Sequence, residues 1–129
     1  MLREMMKSKI HRATVTGADI DYEGSIGIDE NLIQEANLVQ NERVDVYNLS
    51  NGQRFSTYVI TAEKNSGAIV LNGAAARCVT VKDRIIIVSY CHVDESELRS
   101  FRPNIIVLDE KNRITKGGRA KYIRQAFDT

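Results

Sequence analysis

The apolar residues of this chain fall in short runs that alternate with polar residues, and this pattern restricts the chain to a fold built mainly of β-strands. Residues 10–15 and 43–49 alternate in this way, with Val44 and Val46 on one face of the second run. The run Ile-Ile-Ile-Val at 85–88 is typical of a strand buried on both faces. Strands are therefore predicted over residues 10–15, 43–49, 54–61, 68–71, 84–93 and 104–108.

Turn and helix signals lie between these runs. The sequence Asn51-Gly52 predicts a two-residue hairpin turn, since both residue types tolerate positive φ. Asp29 is suited to cap a short helix over the residues that follow it. Briefer helical turns are predicted at 74–77 and at 94–99, where Asp94 and Glu97 have the spacing of a capping box. Six or seven short strands with one or two short helices indicate a small, mostly β barrel with few exposed edges.

Length and composition favour a single globular domain. The 129 residues are enough for one hydrophobic core, and 43% hydrophobic with 27% charged residues exclude a disordered polyampholyte. No window holds the roughly 18 uninterrupted apolar residues of a membrane span, and the first twelve residues lack the apolar stretch of a secretory signal. We therefore expect one domain over residues 1–129, in a cytoplasmic protein that does not bind a membrane.

The charge of the chain gives no reason to expect nucleic acid as a partner. Lys and Arg total 18 against 17 acidic residues, a net charge of +1. The exception is a basic tail at residues 111–129, which is more often a solvated terminus than a nucleic-acid arm. A small β-barrel binding module that uses this tail stays open as the alternative to an enzyme.

Common catalytic and metal motifs are missing. The sequence has no Walker glycine loop, no G-x-G-x-x-G, no C-x-x-C and no H-x-x-x-H, so no metal site is predicted. Cys91 and His92 are neighbours in a predicted strand, where adjacent side chains point to opposite faces. This argues against a Cys-dependent hydrolase, and both Cys78 and Cys91 are expected to be reduced.

Four segments together carry a specific signal. They are Lys9-Ile10-His11-Arg12-Ala13, Tyr22-Glu23-Gly24-Ser25, Asn51 to Tyr58 (Asn-Gly-Gln-Arg-Phe-Ser-Thr-Tyr) and Asn72-Gly73-Ala74-Ala75-Ala76. Any one of them is weak, and Gly-Ser alone is a common turn pair. In this order and spacing, over about residues 1–109, the chain resembles the aspartate 1-decarboxylases, the pyruvoyl-dependent enzymes that make β-alanine for pantothenate and coenzyme A.

The resemblance implies a six-stranded double-psi β-barrel that cuts itself. The Ser25 hydroxyl would attack the Gly24 carbonyl, and elimination would leave a β chain of residues 1–24 and an α chain of residues 25–129 that begins with a pyruvoyl group. Decarboxylation leaves a carbanion, and the pyruvoyl ketone would provide the electron sink through a Schiff base with the amine of L-aspartate. Glycine at position 24 would give access and allow strained backbone dihedrals.

The resemblance also implies roles for side chains. Thr57 would contact the oxyanion of self-cleavage and the substrate, and Tyr58 would return a proton to carbon after CO2 leaves. Arg54 and Lys9 would bind the substrate carboxylates. The segment Asn72, Gly73, Ala74 and Ala75 would line the site with backbone N–H groups. Supporting positions are His11, Tyr22, Ile60 and Ile86, and Ile86 is expected to pack in the core in any case.

The family also implies an assembly and leaves two departures to consider. A homotetramer with sites between subunits is implied, and a maturation factor for the cleavage is possible. Asp21 and Arg77 stand where the family often has histidine. A carboxylate four residues before Ser25 could alter the rate or pH dependence of self-cleavage.

Overall fold

A computed structural model describes residues 1–118 and shows a chain made mostly of strands. The only α-helix in this part of the chain, α1, spans Glu30–Glu35, and two 3-10 helices span Gly73–Cys78 and Glu95–Glu97. The strands are β1 (Leu2–Thr14), β2 (Gly17–Asp19), β3 (Ser25–Asp29), β4 (Arg43–Asn48), β5 (Arg54–Ala62), β6 (Ile69–Asn72), β7 (Arg84–Asp94), β8 (Asn104–Leu108) and β9 (Ile114–Gly117).

The nine strands form one sheet in the order β2-β6-β3-β5-β4-β7-β1-β8-β9. The mostly β fold is confirmed, but residues 1–118 contain nine strands instead of six. The three extra strands are β2, β3 and β9, whose sequences Gly-Ala-Asp, Ser-Ile-Gly-Ile-Asp and Ile-Thr-Lys-Gly hold at most two of the large apolar residues that indicate a strand. Closure into a double-psi barrel stays a prediction.

The core lies on one face of these strands. Its fully buried members include Ile10, Ile26, Val46, Val59 and Ile87. Positions one residue away along each strand therefore lie on the opposite face, which we call the outer face. Ile86 is on the outer face and only half-buried, so the expectation that it packs in the core is wrong. The run 85–88 is thus fully buried only at Ile85, Ile87 and Val88.

The β4–β5 hairpin has a longer turn than the sequence predicts. The Gly52 N–H donates to the carbonyl of Asn48 at 2.9 Å, and the Asn48 N–H donates to the carbonyl of Gln53 at 2.9 Å. Gly52 has φ +78°, whereas Asn51 is not in the left-handed region. The strands therefore close around residues 49–52, and the two-residue turn is wrong.

Asp29 and Asp94 cap helices as the sequence predicts, but the helix after Asp94 is shorter than predicted. The Asp29 carboxylate accepts from the Asn31 N–H at 2.8 Å and caps α1. Asp94 accepts from the Ser96 N–H at 3.0 Å, but the helix it caps is one 3-10 turn.

The described part of the basic tail belongs to the fold. Residues Ile114–Gly117 form β9, which pairs with β8, and Asn112 is buried. The Asn112 amide donates to the carbonyls of Thr14 and Gly67, both at 2.8 Å. The prediction of a solvated tail from residue 111 is therefore wrong as far as residue 118, and residues 119–129 lie outside the described part. No helix among the described residues is long and apolar enough to cross a membrane.

Candidate active site

Ser25 is the first residue of β3 and is almost completely buried. Its side chain is 1% exposed, and it pairs with Asn72 across the antiparallel β3–β6 ladder. The Asn72 amide donates a hydrogen bond of 2.9 Å to the Ser25 Oγ. A buried hydroxyl that accepts this hydrogen bond is held in a defined position, as an attacking nucleophile requires.

The segment before Ser25 crosses over the end of a strand. β2 and β3 both pair with β6, on its two sides, so residues 20–24 must pass over the end of β6 to connect them. We call residues 20–24 the crossing loop. Two hydrogen bonds to Asp19 fold it, from the Asp21 N–H to the side-chain carboxylate at 3.1 Å and from the Tyr22 N–H to the backbone carbonyl at 3.4 Å.

Gly73 is the position that makes room for this crossing. A Cβ on Gly73 would lie 2.8 Å from both Cα and N of Gly24 and 3.1 Å from the Tyr22 carbonyl oxygen. Its φ of +66° is also in the left-handed region that favours glycine. Glycine is therefore needed at position 73 to make room for the crossing loop. This requirement is separate from the substrate-binding role that the resemblance implies for Gly73.

Gly24 itself does not show the strain expected from the sequence. Its φ is outside the left-handed region, and a Cβ built on it meets nothing within 4 Å. The Ser25 hydroxyl donates to the carbonyl of Glu23, at the long distance of 3.4 Å. Glycine at position 24 therefore leaves the Gly24–Ser25 peptide open on one side without a left-handed backbone.

Tyr58 approaches Ser25 along a parallel strand, and Thr57 faces the other way. Val59 of β5 pairs with Ile26 of β3, and both are core residues. One step back along both strands, Tyr58 and Ser25 occupy equivalent positions on the outer face. Thr57 alternates onto the core side, opposite Val44. We call Gly24, Ser25, Tyr58, Asn72 and Gly73 the cleavage cluster.

The remaining sequence-predicted residues near this cluster differ in exposure. Ala75 is buried in the first 3-10 helix while Ala74 is exposed, and Tyr22 is exposed in the crossing loop. Ile60 lies opposite Gly27 on β3, two residues beyond Tyr58. Of the two departures, Asp21 is exposed in the crossing loop and Arg77 is exposed in the last turn of the 3-10 helix.

Arg54 belongs to a second group of residues. It lies four residues before Tyr58 on β5, which is about 13 Å at the usual rise of a strand. Its guanidinium carbon sits 4.0 Å from the centre of the Tyr47 ring, a cation–π contact. Tyr47 pairs with Arg54 on one side and with Ile86 on the other.

The same row continues to β1. Ile10 pairs with Ile87 and Ala13 with Ile85, so His11 and Arg12 form a bulge opposite Ile86. Alternation with buried Ile10 puts Lys9 and His11 on the outer face. We call Lys9, His11, Arg54, Tyr47 and Ile86 the cationic cluster.

The surroundings of His11 favour its neutral form. Burial lowers its pKa, and the nearby positive charges of Lys9, Arg12 and Arg84 lower it further. The ring atom Nδ1 is buried without a hydrogen-bond partner. A neutral imidazole with a free nitrogen can accept or donate one hydrogen bond to a ligand.

The two cations of this cluster have no acidic partner in the described part of the chain. The side-chain salt bridges among residues 1–118 are Arg3–Glu95, Lys7–Glu42 and His92–Glu4. Asp45, the nearest acid on β4, instead accepts from the Ser56 hydroxyl at 2.6 Å. Lys9 and Arg54 are therefore available to pair with carboxylates of a ligand.

Tyr47 is the residue that the sequence analysis missed. The hairpin register places it directly opposite Arg54, whereas the two-residue turn predicted at Asn51-Gly52 would have placed Leu49 there, so the wrong turn length hid Tyr47.

A cavity of about 440 Å³ lies elsewhere, at the far end of β3. Asp29 lines it, but this carboxylate already accepts from the N–H groups of Asn31, Asn65 and Gly67. We interpret this region as a structural junction. Among residues 1–118, no three His, Cys, Asp or Glu side chains meet as a metal site would require.

The chain matches known proteins over nearly its whole length. The family model described as aspartate decarboxylase matches residues 1–115. The aspartate 1-decarboxylase of Paraburkholderia phymatum is 52% identical over 128 residues, covering 98% of this chain and 99% of the relative. The aspartate 1-decarboxylase of Caldicellulosiruptor saccharolyticus is 53% identical over 116 residues, covering 90% and 91%.

The chain belongs to the aspartate decarboxylase family. All four segments that carry the resemblance lie inside the region matched by the aspartate decarboxylase model. Gly24, Ser25, Asn72 and Gly73 come together in this family member, with Tyr58 on the adjoining strand. Lys9, His11, Arg54 and Ile86 form a separate cluster on the outer face of the same chain.

Proposed function

We propose that this protein decarboxylates L-aspartate to β-alanine and CO2 for pantothenate synthesis, using a pyruvoyl group made from its own Ser25. The observation that carries the proposal is the buried Ser25 hydroxyl, held by Asn72 directly after the exposed Gly24. A serine in an ordinary turn would be solvated. This one is fixed beside the peptide bond that it would cut.

The proposed self-cleavage consumes one water and releases one ammonia, and it needs no other reagent. The Ser25 Oγ attacks the Gly24 carbonyl carbon, the C–N bond breaks, and an ester replaces the peptide. Loss of the Ser25 α-proton then expels the Gly24 carboxylate and leaves dehydroalanine. Its tautomer takes up one water and releases one ammonia, which gives residues 1–24 and 25–129 with a ketone at the new N-terminus.

The residues of the cleavage cluster fit this group. Ser25 is buried against Asn72, and Gly73 presents no side chain to the space beside it. The ketone supplies the electron sink that decarboxylation requires. Tyr58 on the same face would donate the proton that replaces CO2, since a phenol hydroxyl can act as a general acid.

The cationic cluster supports a dicarboxylate substrate. Arg54 and Lys9 present two positive charges without acidic partners among the described residues, and aspartate has two carboxylates. Arg54 lies about 13 Å along β5 from Tyr58, so we propose that one chain supplies the cleavage cluster and a second copy supplies the cationic cluster. This agrees with a homotetramer whose sites lie between subunits, in a cytoplasmic enzyme. A maturation factor is left as a possible partner.

Intact mass under denaturing conditions tests the cleavage. After warm incubation, we expect two fragments whose masses sum to the uncut chain plus one water minus one ammonia. Proteolysis by a contaminant would add the water alone. Ser25→Ala should give neither cleavage nor CO2 from L-aspartate, and Tyr58→Phe should be cut normally yet turn over slowly.

The alternative, a noncatalytic binding module with a basic tail, makes the opposite prediction. Its chain would stay intact with a normal serine, and any binding to nucleic acid would weaken with salt. An uncut chain that releases no CO2 after prolonged incubation would therefore overturn the decarboxylase.

A further inference from the structure

A second tyrosine contacts the cationic cluster. The hydroxyls of Tyr47 and Tyr90 lie 2.8 Å apart, the distance of a good O–H···O hydrogen bond. Tyr47 is the residue whose ring lies beneath the Arg54 guanidinium. Tyr90 is on β7, and neither its position nor its partner is part of the motifs that identify the family.

The hydrogen bond between Tyr47 of β4 and Tyr90 of β7 links the two strands, and we call this tyrosine pair the brace. Tyr47 pairs with Ile86, whereas Tyr90 lies four residues further along β7. The pair Asp45–Val88 is between them. The two long side chains therefore lean toward each other over that pair, and their hydroxyls meet above it. This fixes the direction of the Tyr47 ring.

The electrostatics keep the brace intact near neutral pH. The hydrogen bond with Tyr47 raises the pKa of Tyr90 to about 12, and burial adds to the shift. Asp45 is occupied by the Ser56 hydroxyl, so the Tyr47 ring is the contact that orients Arg54. An arginine side chain has many rotamers, and stacking on a ring fixes its plane while leaving its N–H edge free.

We propose that Tyr90 is a positioning residue for Arg54: its hydroxyl holds the Tyr47 ring, and the ring presents the guanidinium edge to a substrate carboxylate. The inference rests on the proposed function, in which Arg54 binds that carboxylate. Tyr90 itself does not touch the substrate. Its contribution is to binding and not to the proton transfers at Ser25 and Tyr58.

Steady-state kinetics of the cleaved enzyme test this role. In Tyr90→Phe, we expect KM for L-aspartate to rise about fivefold, as for loss of one hydrogen bond, with kcat changed less than about twofold. Self-cleavage should proceed at the wild-type rate. Tyr47→Phe should behave alike, and the double variant should be no worse than either single one, because both remove the same bond.

The Arg54→Lys background shows whether Tyr90 acts through Arg54. There, Tyr90→Phe should leave KM unchanged, because the guanidinium that it positions is gone. Thr115→Val, which removes an exposed hydroxyl on β9, is the matched control and should keep wild-type kinetics. An unchanged KM in Tyr90→Phe, or an equal further increase in the Arg54→Lys background, would overturn the proposal.

A measurement without turnover separates this inference from the proposed function. The Arg54 Nε–H resonance, assigned by its loss in Arg54→Lys, should be shifted by the Tyr47 ring current and should move toward its free position in Tyr90→Phe. An unmoved resonance contradicts the brace even if the enzyme is active. A wild-type protein that makes no CO2 contradicts the decarboxylase even if the resonance moves.

Discussion

At the scale of single residues, the contact that matters most is the one between Asn72 and Ser25. The amide reaches the hydroxyl across a ladder that joins residues 47 positions apart in the chain. From the sequence, Asn72 is expected only in the segment that would bind substrate. In the structure, the Asn72 amide instead hydrogen-bonds to the Ser25 Oγ, the oxygen that would attack the Gly24 carbonyl.

Asn72→Ala is therefore expected to slow self-cleavage about tenfold, which corresponds to roughly one lost orienting hydrogen bond. The freed hydroxyl can turn away from the Gly24 carbonyl, so fewer chains are poised to react. The uncut fraction followed over time by denaturing mass spectrometry measures the effect. Asn104→Ala, at the start of β8, is the matched control, and equal rates for the two variants would contradict the role of Asn72.

At the scale of elements, the crossing loop is the feature that the strands impose. β2 and β3 pair with the two sides of β6, so the chain that connects them must pass over the end of β6. This crossing presses Gly24 and Tyr22 onto Gly73 and leaves the peptide before Ser25 exposed. The Gly24–Ser25 peptide is therefore positioned by the pairing of three short strands.

Gly73→Ala should destabilise the protein and also slow self-cleavage. Gly52→Ala should destabilise the protein without changing the rate of self-cleavage. Both glycines have positive φ, at +66° and +78°, so both variants carry the backbone cost of about 1–2 kcal/mol for a side chain in that region. A Cβ at Gly52 meets nothing within 4 Å, whereas one at Gly73 would overlap the backbone of Gly24. Thermal melting and the cleavage rate of each variant distinguish the two effects. Normal cleavage in Gly73→Ala would show that the crossing loop can shift without consequence.

The elements also show why the sequence predicted part of this fold and missed the rest. Strands such as β4, β5 and β8 were predictable because one face is buried and the other is not. β3 is buried at every residue, but its sequence Ser-Ile-Gly-Ile-Asp has only two large apolar residues, too few to indicate a strand buried on both faces. The Asn72–Ser25 contact and the outer-face position of Ile86 depend on strand pairing, which no local pattern records.

At the scale of the whole molecule, the site residues of one chain fall into two clusters on the outer face. Ser25 and Tyr58 are in one, and Arg54 with Lys9 is in the other, about 13 Å away along β5. The Arg54 guanidinium stacks on the Tyr47 ring, which lies across the hairpin and not along β5 toward Tyr58. A second copy placing its cationic cluster beside the cleavage cluster of the first would resolve this, and symmetric assembly would repeat the contact in every subunit.

Mixed assemblies of two inactive chains test this arrangement. Ser25→Ala lacks the nucleophile and keeps Arg54, whereas Arg54→Ala is cut normally and lacks the carboxylate partner. When both are co-expressed in equal amounts and mix at random, a site shared by two chains is complete about one time in four, so about a quarter of wild-type activity should return. A site built within one chain can never be complete in such a mixture. Purified single variants that stay inactive when mixed after assembly are the control, and a co-expressed mixture without activity would place both clusters in one chain.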